Sequence, residues 1–355
     1  MIEHMARVLR GETLAEQHAE DVLRHLASGR ADPTDAGEFL LAVARRGETV
    51  DEIRGFARGM RALAVRPPID LARFPRAVDV VGTGGDGSGS LNLSTGSALL
   101  AAAAGLPVVK HGNGSITSRS GSADVLDRLG LPTPLEPRIA ARCLDECGFT
   151  FLFAPRYHPA MKEVAAVRRA LGVRTIFNLL GPLTNPAGPP YHVIGAWSED
   201  VAERMAECLS GLGATRSFVV HGEPGWDEAT PCGPFTLFDV RPGSVRRERR
   251  DPADLGLARC TPGSLLGGTA DDNARAIRRV FDGEESPHRD ALTLGAALAL
   301  EVTGTSADAA GALATARAAI DDGRARAMLA RIGSFGAGLG TTPVGDRLSR
   351  WTANG

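Results

Sequence analysis

The sequence predicts an α/β fold with a small helical N-terminal domain and a large α/β domain built on a mostly parallel central sheet. Three observations predict it. Up to residue 65 every apolar pattern has helical spacing. From residue 77 onward short apolar runs alternate with helical patterns, which is how a parallel sheet reads in sequence. The 355 residues suffice for about two domains of ~150 residues each.

In the first part, residues 14–28, 33–46 and 50–64 place apolar side chains at i, i+3, i+4 intervals, the stripe of an amphipathic helix. Gly29 and Gly47 end the first two, and Asp32-Pro33-Thr34 and Glu48-Thr49 supply start signals for the next two. Pro67-Pro68 marks a linker, so the helical domain is expected over 1–70 and the α/β domain over 75–345. Residues 77–81 read as a first strand ended by glycines. An Ala-rich helix at 93–105, a strand at 106–110, helices at 122–129 and 137–147 and an apolar run at 149–154 follow. Further strands are expected at 191–197, 217–221 and 235–240, and helices at 200–212, 271–281, 290–302 and 306–321. The short Pro-rich stretch 182–190 reads as a hinge or loop. Ligands of such a sheet collect beyond the carboxyl ends of its strands.

Composition narrows the function. A net charge of −2 argues against a protein whose main partner is a nucleic acid, which would show a basic excess. No apolar run reaches the roughly 18 residues of a membrane span. The stretch from Met1 to Arg10 lacks a basic-then-apolar leader pattern, and five irregularly spaced cysteines suit reduced thiols, so a cytoplasmic protein is expected. Cys143 and Cys147 share one helix face with no His pair to match, as core thiols do. Two biases remain. Of 43 glycines, 11 fall between residues 82 and 130. Among 40 basic residues only Lys110 and Lys162 are lysines, which hints at sites that need a compact ammonium.

Gly82-Thr83-Gly84-Gly85-Asp86-Gly87 matches the dinucleotide fingerprint G-x-G-x-x-G literally. Two features oppose that reading. Several more residues separate the loop from its helix, and the next strand ends in Lys110-His111 rather than in the acid that holds a ribose hydroxyl. The other reading is a cradle for a phosphorylated ligand, in which glycines let amides approach oxygen atoms closely. Asn92, Ser94 and Thr95 then stand at a helix N-terminus, where free amides suit a pyrophosphate; Ser94 or Thr95 could equally be only a cap. Residues 110–122 form a second polar cluster, rich in Ser, Gly and cations, that could wrap a phosphate or serve as a flexible linker. A third stretch runs from His158 to Pro186, with Arg168 and Arg169 beside an apolar helix face, placed either for a substrate carboxylate or for solvent. Asp227-Glu228 follows the 217–221 strand, a position from which carboxylates can hold Mg²⁺. Other acidic doublets, such as 271–272, 284–285 and 321–322, lack that position.

Taken together, Gly82-Thr83-Gly84-Gly85-Asp86-Gly87 with Asn92-Leu93-Ser94-Thr95, then Lys110-His111-Gly112-Asn113, then the run from His158-Pro159-Ala160-Met161-Lys162 to Asn185-Pro186-Ala187, then Asp227-Glu228, resemble the anthranilate phosphoribosyltransferase family over about residues 1–330. The resemblance implies a nucleoside-phosphorylase-like phosphoribosyltransferase architecture. In it helices near 170–185 complete the helical domain, a cleft lies between the domains, and a homodimer forms through the helical one. It implies that Gly82, Gly85, Asp86, Ser90, Asn92, Leu93, Ser94, Thr95, Lys110, His111, Gly112, Asn113, Gly114, Ser115, Ile116, Thr117, Ser118 and Ser122 hold phosphoribosyl pyrophosphate. It further implies that Ser94, Asp227 and Glu228 hold Mg²⁺, and that Gly82, Asn113, Arg168, Gly181 and Pro182 face the aromatic acceptor. The implied reaction moves the phosphoribosyl group to the amine of anthranilate. It gives N-(5-phosphoribosyl)anthranilate and pyrophosphate, a step of tryptophan biosynthesis, and no catalytic base is assigned.

The sequence departs from the family pattern at three places. Gly114 stands where Arg is usual, Gly295 where Asn is frequent, and Arg156 follows Ala154-Pro155 and brings a charge toward the cleft. These departures leave open a paralogue with another aromatic acceptor, or a non-catalytic homologue that binds phosphate or nucleic acid.

Overall fold

The computed structural model of the chain describes residues 2–114 and 119–340. Its N-terminal part holds α1 (Glu3–Leu9), α2 (Glu16–Ala27), α3 (Pro33–Arg46) and α4 (Val50–Leu63). The start signals act as expected. Asp32 accepts from the amides of Thr34 and Asp35, with Pro33 at the first helical position, and Thr49 forms a capping box with Glu52. Glu52 is buried and is held by Arg46, by its own cap and by the Leu14 amide. Helices α2 and α4 cross at Gly55, where a Cβ would overlap the Glu16 carbonyl.

The second part runs β1 (Val78–Gly82), α5 (Leu93–Ala103), β2 (Val108–Gly112), α6 (Ser122–Arg128), α7 (Pro137–Cys147), β3 (Phe149–Phe153), α8 (Ala154–Tyr157), α9 (Lys162–Leu171), α10 (Phe177–Leu180) and β4 (Tyr191–Gly195). It continues with α11 (Glu199–Ser210), β5 (Arg216–Gly222), β6 (Phe235–Arg241), β7 (Ser244–Arg250), α12 (Ala270–Phe281), α13 (Pro287–Val302), α14 (Ala309–Asp321) and α15 (Arg324–Ala337). The strands form one sheet in the order β3-β2-β1-β4-β5-β6-β7. The first five are parallel and the last two antiparallel. The mostly parallel sheet is therefore as the sequence predicts. Each expected element is present within a few residues of its expected bounds, and helices α1, α8 and α15 and strand β7 come in addition.

One face of the sheet packs on α5 and α13, in a core with Leu99, Leu292 and Phe151. The other face contributes Ile194, Val219 and Phe238 to a second core. That core also holds α11, the N-terminal helices, and Val164, Ile176, Phe177 and Leu180. Arg54, Arg58 and Arg61 of α4 fasten this side. They donate to the carbonyls of Glu207, Cys208, Gly211 and Leu212 at the end of α11, and Arg61 also reaches the Leu183 carbonyl. Cations at a helix C-terminus meet its unpaired carbonyls and the negative end of its dipole. Cys143 and Cys147 are core thiols. No helix among the described residues is long and apolar enough to cross a membrane.

Candidate active site

The strand order reverses between β1 and β4, and the crevice at such a switch point is where open α/β sheets bind ligands. Gly82 and Gly195, the last residues of these strands, are register partners. Asp227 lies across both. A Cβ on Gly82 would meet the Asp227 carboxylate, and one on Gly195 would overlap the Asp227 carbonyl. Gly222, which ends β5, admits the Glu228 carbonyl in the same way. Three strand ends thus lack side chains where the acidic segment passes.

The glycine loop after β1 closes on this segment. The Gly84 amide donates to Asp227 Oδ2 at 2.6 Å, and Asp86 Oδ2 accepts from the Asp227 amide at 3.3 Å. Asp86 Oδ1 also accepts from the Ser88 amide, and the Ser88 hydroxyl contacts Ser90 Oγ at 3.1 Å. Farther along, the Leu91 amide donates to the Leu265 carbonyl and the Gly267 amide to the Gly89 carbonyl, so residues 265–267 brace the loop. Helix α5 begins at the site. The Ser94 amide donates to Glu228 Oε1 at 3.0 Å, which puts a carboxylate on the positive end of the helix. Leu93 is buried, and Thr95 donates to Ser122 Oγ at 3.0 Å. Asn92 binds the Ser120 carbonyl and accepts from Asn273.

Lys110 approaches from beneath. Its side chain is 1% exposed, and its ammonium donates to the Val80 carbonyl and to Ser94 Oγ at 3.3 Å. It therefore meets the loop through Ser94. His111 Nδ1–H donates to the Gly181 carbonyl at 3.0 Å, joining the end of β2 to the Gly181-Pro182 turn. Burial and the neighbouring His158 hold His111 down to about 3, and burial holds His158 down to about 4, so both rings are neutral at pH 7. Asn113 turns its side chain onto the Gly114 amide. A Cβ on Gly114 would just touch Asp124 and Phe153, at 3.9 Å. Gly112 packs on Phe151, and Ser122 opens α6. Ser115, Ile116, Thr117 and Ser118 lie outside the described residues.

Arg168 is half-buried on α9, with its guanidinium 5.2 Å from the centre of the Phe177 ring. Among the described residues it has no carboxylate partner, and burial pulls its pKa down. Arg156 pairs with Glu136. Gly295 lies against the Ser97 hydroxyl in the α5–α13 contact, a packing position.

Two residues quoted in the sequence without a role prove structural. Arg174 reaches from the stretch before α10 to the Gly85 carbonyl, and its guanidinium sits 4.3 Å over the Trp197 ring. Asn185 donates to Asp79 Oδ2 and to the Val109 carbonyl, while Asp79 Oδ1 accepts from the His111 amide. Neither has a periodic or spacing signal; only the third polar stretch as a whole pointed at them.

Among the described residues Asp227 and Glu228 make no ion pair, and no cluster of three or more acids, His or Cys stands ready to hold a metal by itself. Any cation there would need further oxygen ligands from a bound molecule. The chemistry available is a glycine loop, a helix N-terminus and two carboxylates, one buried and one half-buried: a place for a polyanion bridged by a divalent cation.

Residues 2–64 match the helical bundle domain of the glycosyl transferase family, and residues 74–326 match its α/β domain. The anthranilate phosphoribosyltransferase of Desulforudis audaxviator (strain MP104C) is 45% identical over 333 residues, 94% of this chain and 95% of that protein. The anthranilate phosphoribosyltransferase of Methylobacterium radiotolerans is 47% identical over 329 residues, 93% of this chain and 94% of that protein. The crystal structure of the Thermus thermophilus anthranilate phosphoribosyltransferase superposes with a TM-score of 0.88 at 41% identity, covering 95% of this chain and all of that one. The Saccharomyces cerevisiae anthranilate phosphoribosyltransferase, solved in complex with phosphoribosyl pyrophosphate and Mg, shares the fold at a TM-score of 0.85 and 24% identity, covering 94% of this chain and 97% of that one.

The acidic pair makes stability depend on pH. Burial, with Asp86 nearby, pushes Asp227 up to about 7; burial, with Asp227 nearby, pushes Glu228 up to about 8. Each carboxyl keeps its proton in the fold where the unfolded chain has lost it, so the folded state binds more protons between the ordinary carboxyl range and about pH 8. That stability is complete in acid and disappears as pH rises through the window. In chelator-treated protein, the melting temperature is expected to fall more steeply from pH 5 to 8.5 in the wild type than in the Asp227→Asn, Glu228→Gln double variant. Equal slopes in circular-dichroism melts would clear the pair of this effect.

Proposed function

The chain belongs to the anthranilate phosphoribosyltransferase family, and from that membership we propose that it moves the phosphoribosyl group of phosphoribosyl pyrophosphate to the amine of anthranilate. The observation that carries this reading is the Asp227-Glu228 pair, a buried and a half-buried carboxylate without an ion-pair partner among the described residues, set against a glycine loop and a helix N-terminus. Buried anions left this way are costly, and a divalent cation relieves them. The donor set fits Mg²⁺: hard oxygens from Asp227, Glu228 and Ser94, with phosphate oxygens and water completing the shell. Bound there, Mg²⁺ supplies positive charge for the departing pyrophosphate.

The chain's own residues do the rest. Loop amides from Gly85 to Gly87 and the positive end of α5 bind the pyrophosphate. Lys110 fixes the Ser94 hydroxyl. The run from Lys110 to Ser118, with Ser122, takes the ribose and its phosphate. Asn113, Arg168 and the Gly181-Pro182 turn take the acceptor. Arg168 suits the acceptor's carboxylate, since a half-buried guanidinium without an acid gains most from a planar anion. As the amine nitrogen bonds to the anomeric carbon, the carbon–oxygen bond to pyrophosphate breaks and the amine proton passes to solvent. An aryl amine is already neutral, and His111 and His158 are too weakly basic to take its proton, so the gain is in positioning and charge stabilisation. Gly114, which stands where the family usually has Arg, favours a second reading, another aromatic acid as acceptor. We place the protein in the cytoplasm, where its thiols stay reduced, and assign a homodimer contact to the helical domain.

Mixing the protein with anthranilate, phosphoribosyl pyrophosphate and Mg²⁺ is expected to release pyrophosphate and quench anthranilate fluorescence; turnover only with another acid from an acceptor panel would select the second reading. Asp227→Asn with Glu228→Gln is expected to raise the Mg²⁺ needed for half-maximal rate by more than about tenfold, as loss of charged ligands implies. Arg168→Ala is expected to raise KM for anthranilate by about 10- to 100-fold, the worth of one charge-assisted hydrogen-bond pair. KM for the donor should stay within about twofold; equal losses for both substrates would remove Arg168 from the acceptor site. Light scattering should give twice the 37.1 kDa chain mass, and a monomer would refute the dimer.

A further inference from the structure

Of the five free cysteines, Cys143, Cys147 and Cys208 are buried, whereas Cys232 and Cys260 are partly exposed. These two face each other with Sγ atoms 3.6 Å apart. Their backbones are already joined, since the Cys260 amide donates to the Pro231 carbonyl at 3.3 Å. Cys232 precedes β6 and Cys260 follows β7, so the pair sits at the base of that hairpin. A disulfide needs the sulfurs to close by only about 1.5 Å, within reach of side-chain rotation.

We propose that Cys232 and Cys260 are an oxidant-sensitive thiol pair that closes to an intramolecular disulfide when the protein meets a hydroperoxide. Burial and the hydrogen bond to Cys232 push the Cys260 thiol up to about 12, which leaves Cys232 to react first. With hydrogen peroxide, the Cys232 sulfur attacks one oxygen, the O–O bond breaks, and a sulfenic acid and one water result. The Cys260 sulfur then attacks the sulfenyl sulfur; the S–S bond forms and a second water leaves. The two thiols give up two electrons and the peroxide takes them. Position gives the link its consequence. Cys232 lies five residues after Asp227, and Cys260 lies five residues before Leu265, which braces the glycine loop at Leu91. The disulfide would tie the acidic segment to that brace. The readouts below do not depend on the reaction proposed above.

The test treats the full folded chain with dilute hydrogen peroxide, then unfolds it and labels free thiols. The expected product is 2 Da lighter, carries three labels instead of five, and yields one linked peptide pair containing Cys232 and Cys260. Cys232→Ser is expected to keep four labels, whereas Cys260→Ser is expected to lose the Cys232 label to a sulfenic acid that dimedone traps, with no linked peptide pair. The oxidised wild type should melt several degrees higher, as loop closure implies, and dithiothreitol should reverse the shift. The serine variants should show no such shift. Five retained labels, sulfinic acid at either site without a link, or a link through Cys143, Cys147 or Cys208 would overturn the proposal.

Discussion

The site depends on a steric constraint: the acidic segment can lie across the carboxyl ends of β1, β4 and β5 only because Gly82, Gly195 and Gly222 have no side chains there. Close approach of backbone to backbone is one of the few things glycine alone permits. The result is electrostatic. Asp227 and Glu228 are brought against Asp86, against the Gly84 amide and against the N-terminus of α5, where burial strengthens every field they feel. Their raised pKa values are the direct sign of that confinement.

A second framework holds the two sides of the crevice in register. Asp79 sits fully buried in β1 and accepts from the His111 amide and the Asn185 side chain; Asn185 also binds the Val109 carbonyl. His111 in turn holds the Gly181 carbonyl, and Arg61 of α4 holds the Leu183 carbonyl two residues on. Burial lifts Asp79 to about 6 although Lys110 and these donors pull it down. Each member makes at least one hydrogen bond within the network, and only the His111 Nε2 among the network's described buried side-chain atoms has no partner. The glycine loop and the Gly181-Pro182 turn are thereby parts of one frame, reached from the helical bundle by α4.

The fold was largely legible because most elements bury one face and so declare their period. What escaped did so for stated reasons. Strand β7, Ser244–Arg250, is an edge strand with charges at five of seven positions, paired only with β6, so no apolar alternation marks it. Helix α15 mixes Arg and Gly into a stripe made only of Ala325, Met328, Ile332 and Phe335. At the site, the loop, the helix start and the acidic pair were visible because their chemistry is local. The links from Asn185 to Asp79 and from Arg174 to Gly85 span 106 and 89 residues, and no local pattern encodes contacts of that range.

Lys110 shows how a compositional bias carries structural information. The chain uses Arg almost throughout, and Arg serves where five donors can find acceptors, as Arg216 does by meeting Asp239 and the Glu301 carbonyl. Beneath Ser94 there are two acceptors, the Val80 carbonyl and the Ser94 hydroxyl, within a fully buried space. A guanidinium would leave donors unpaired there, and each would carry a desolvation penalty. An ammonium fits: burial lowers its pKa, and Asp79, Glu228 and Asp227 pull it back up. Among the described residues it is the cation buried under the acidic segment of the site, and the small head group is what makes that burial possible.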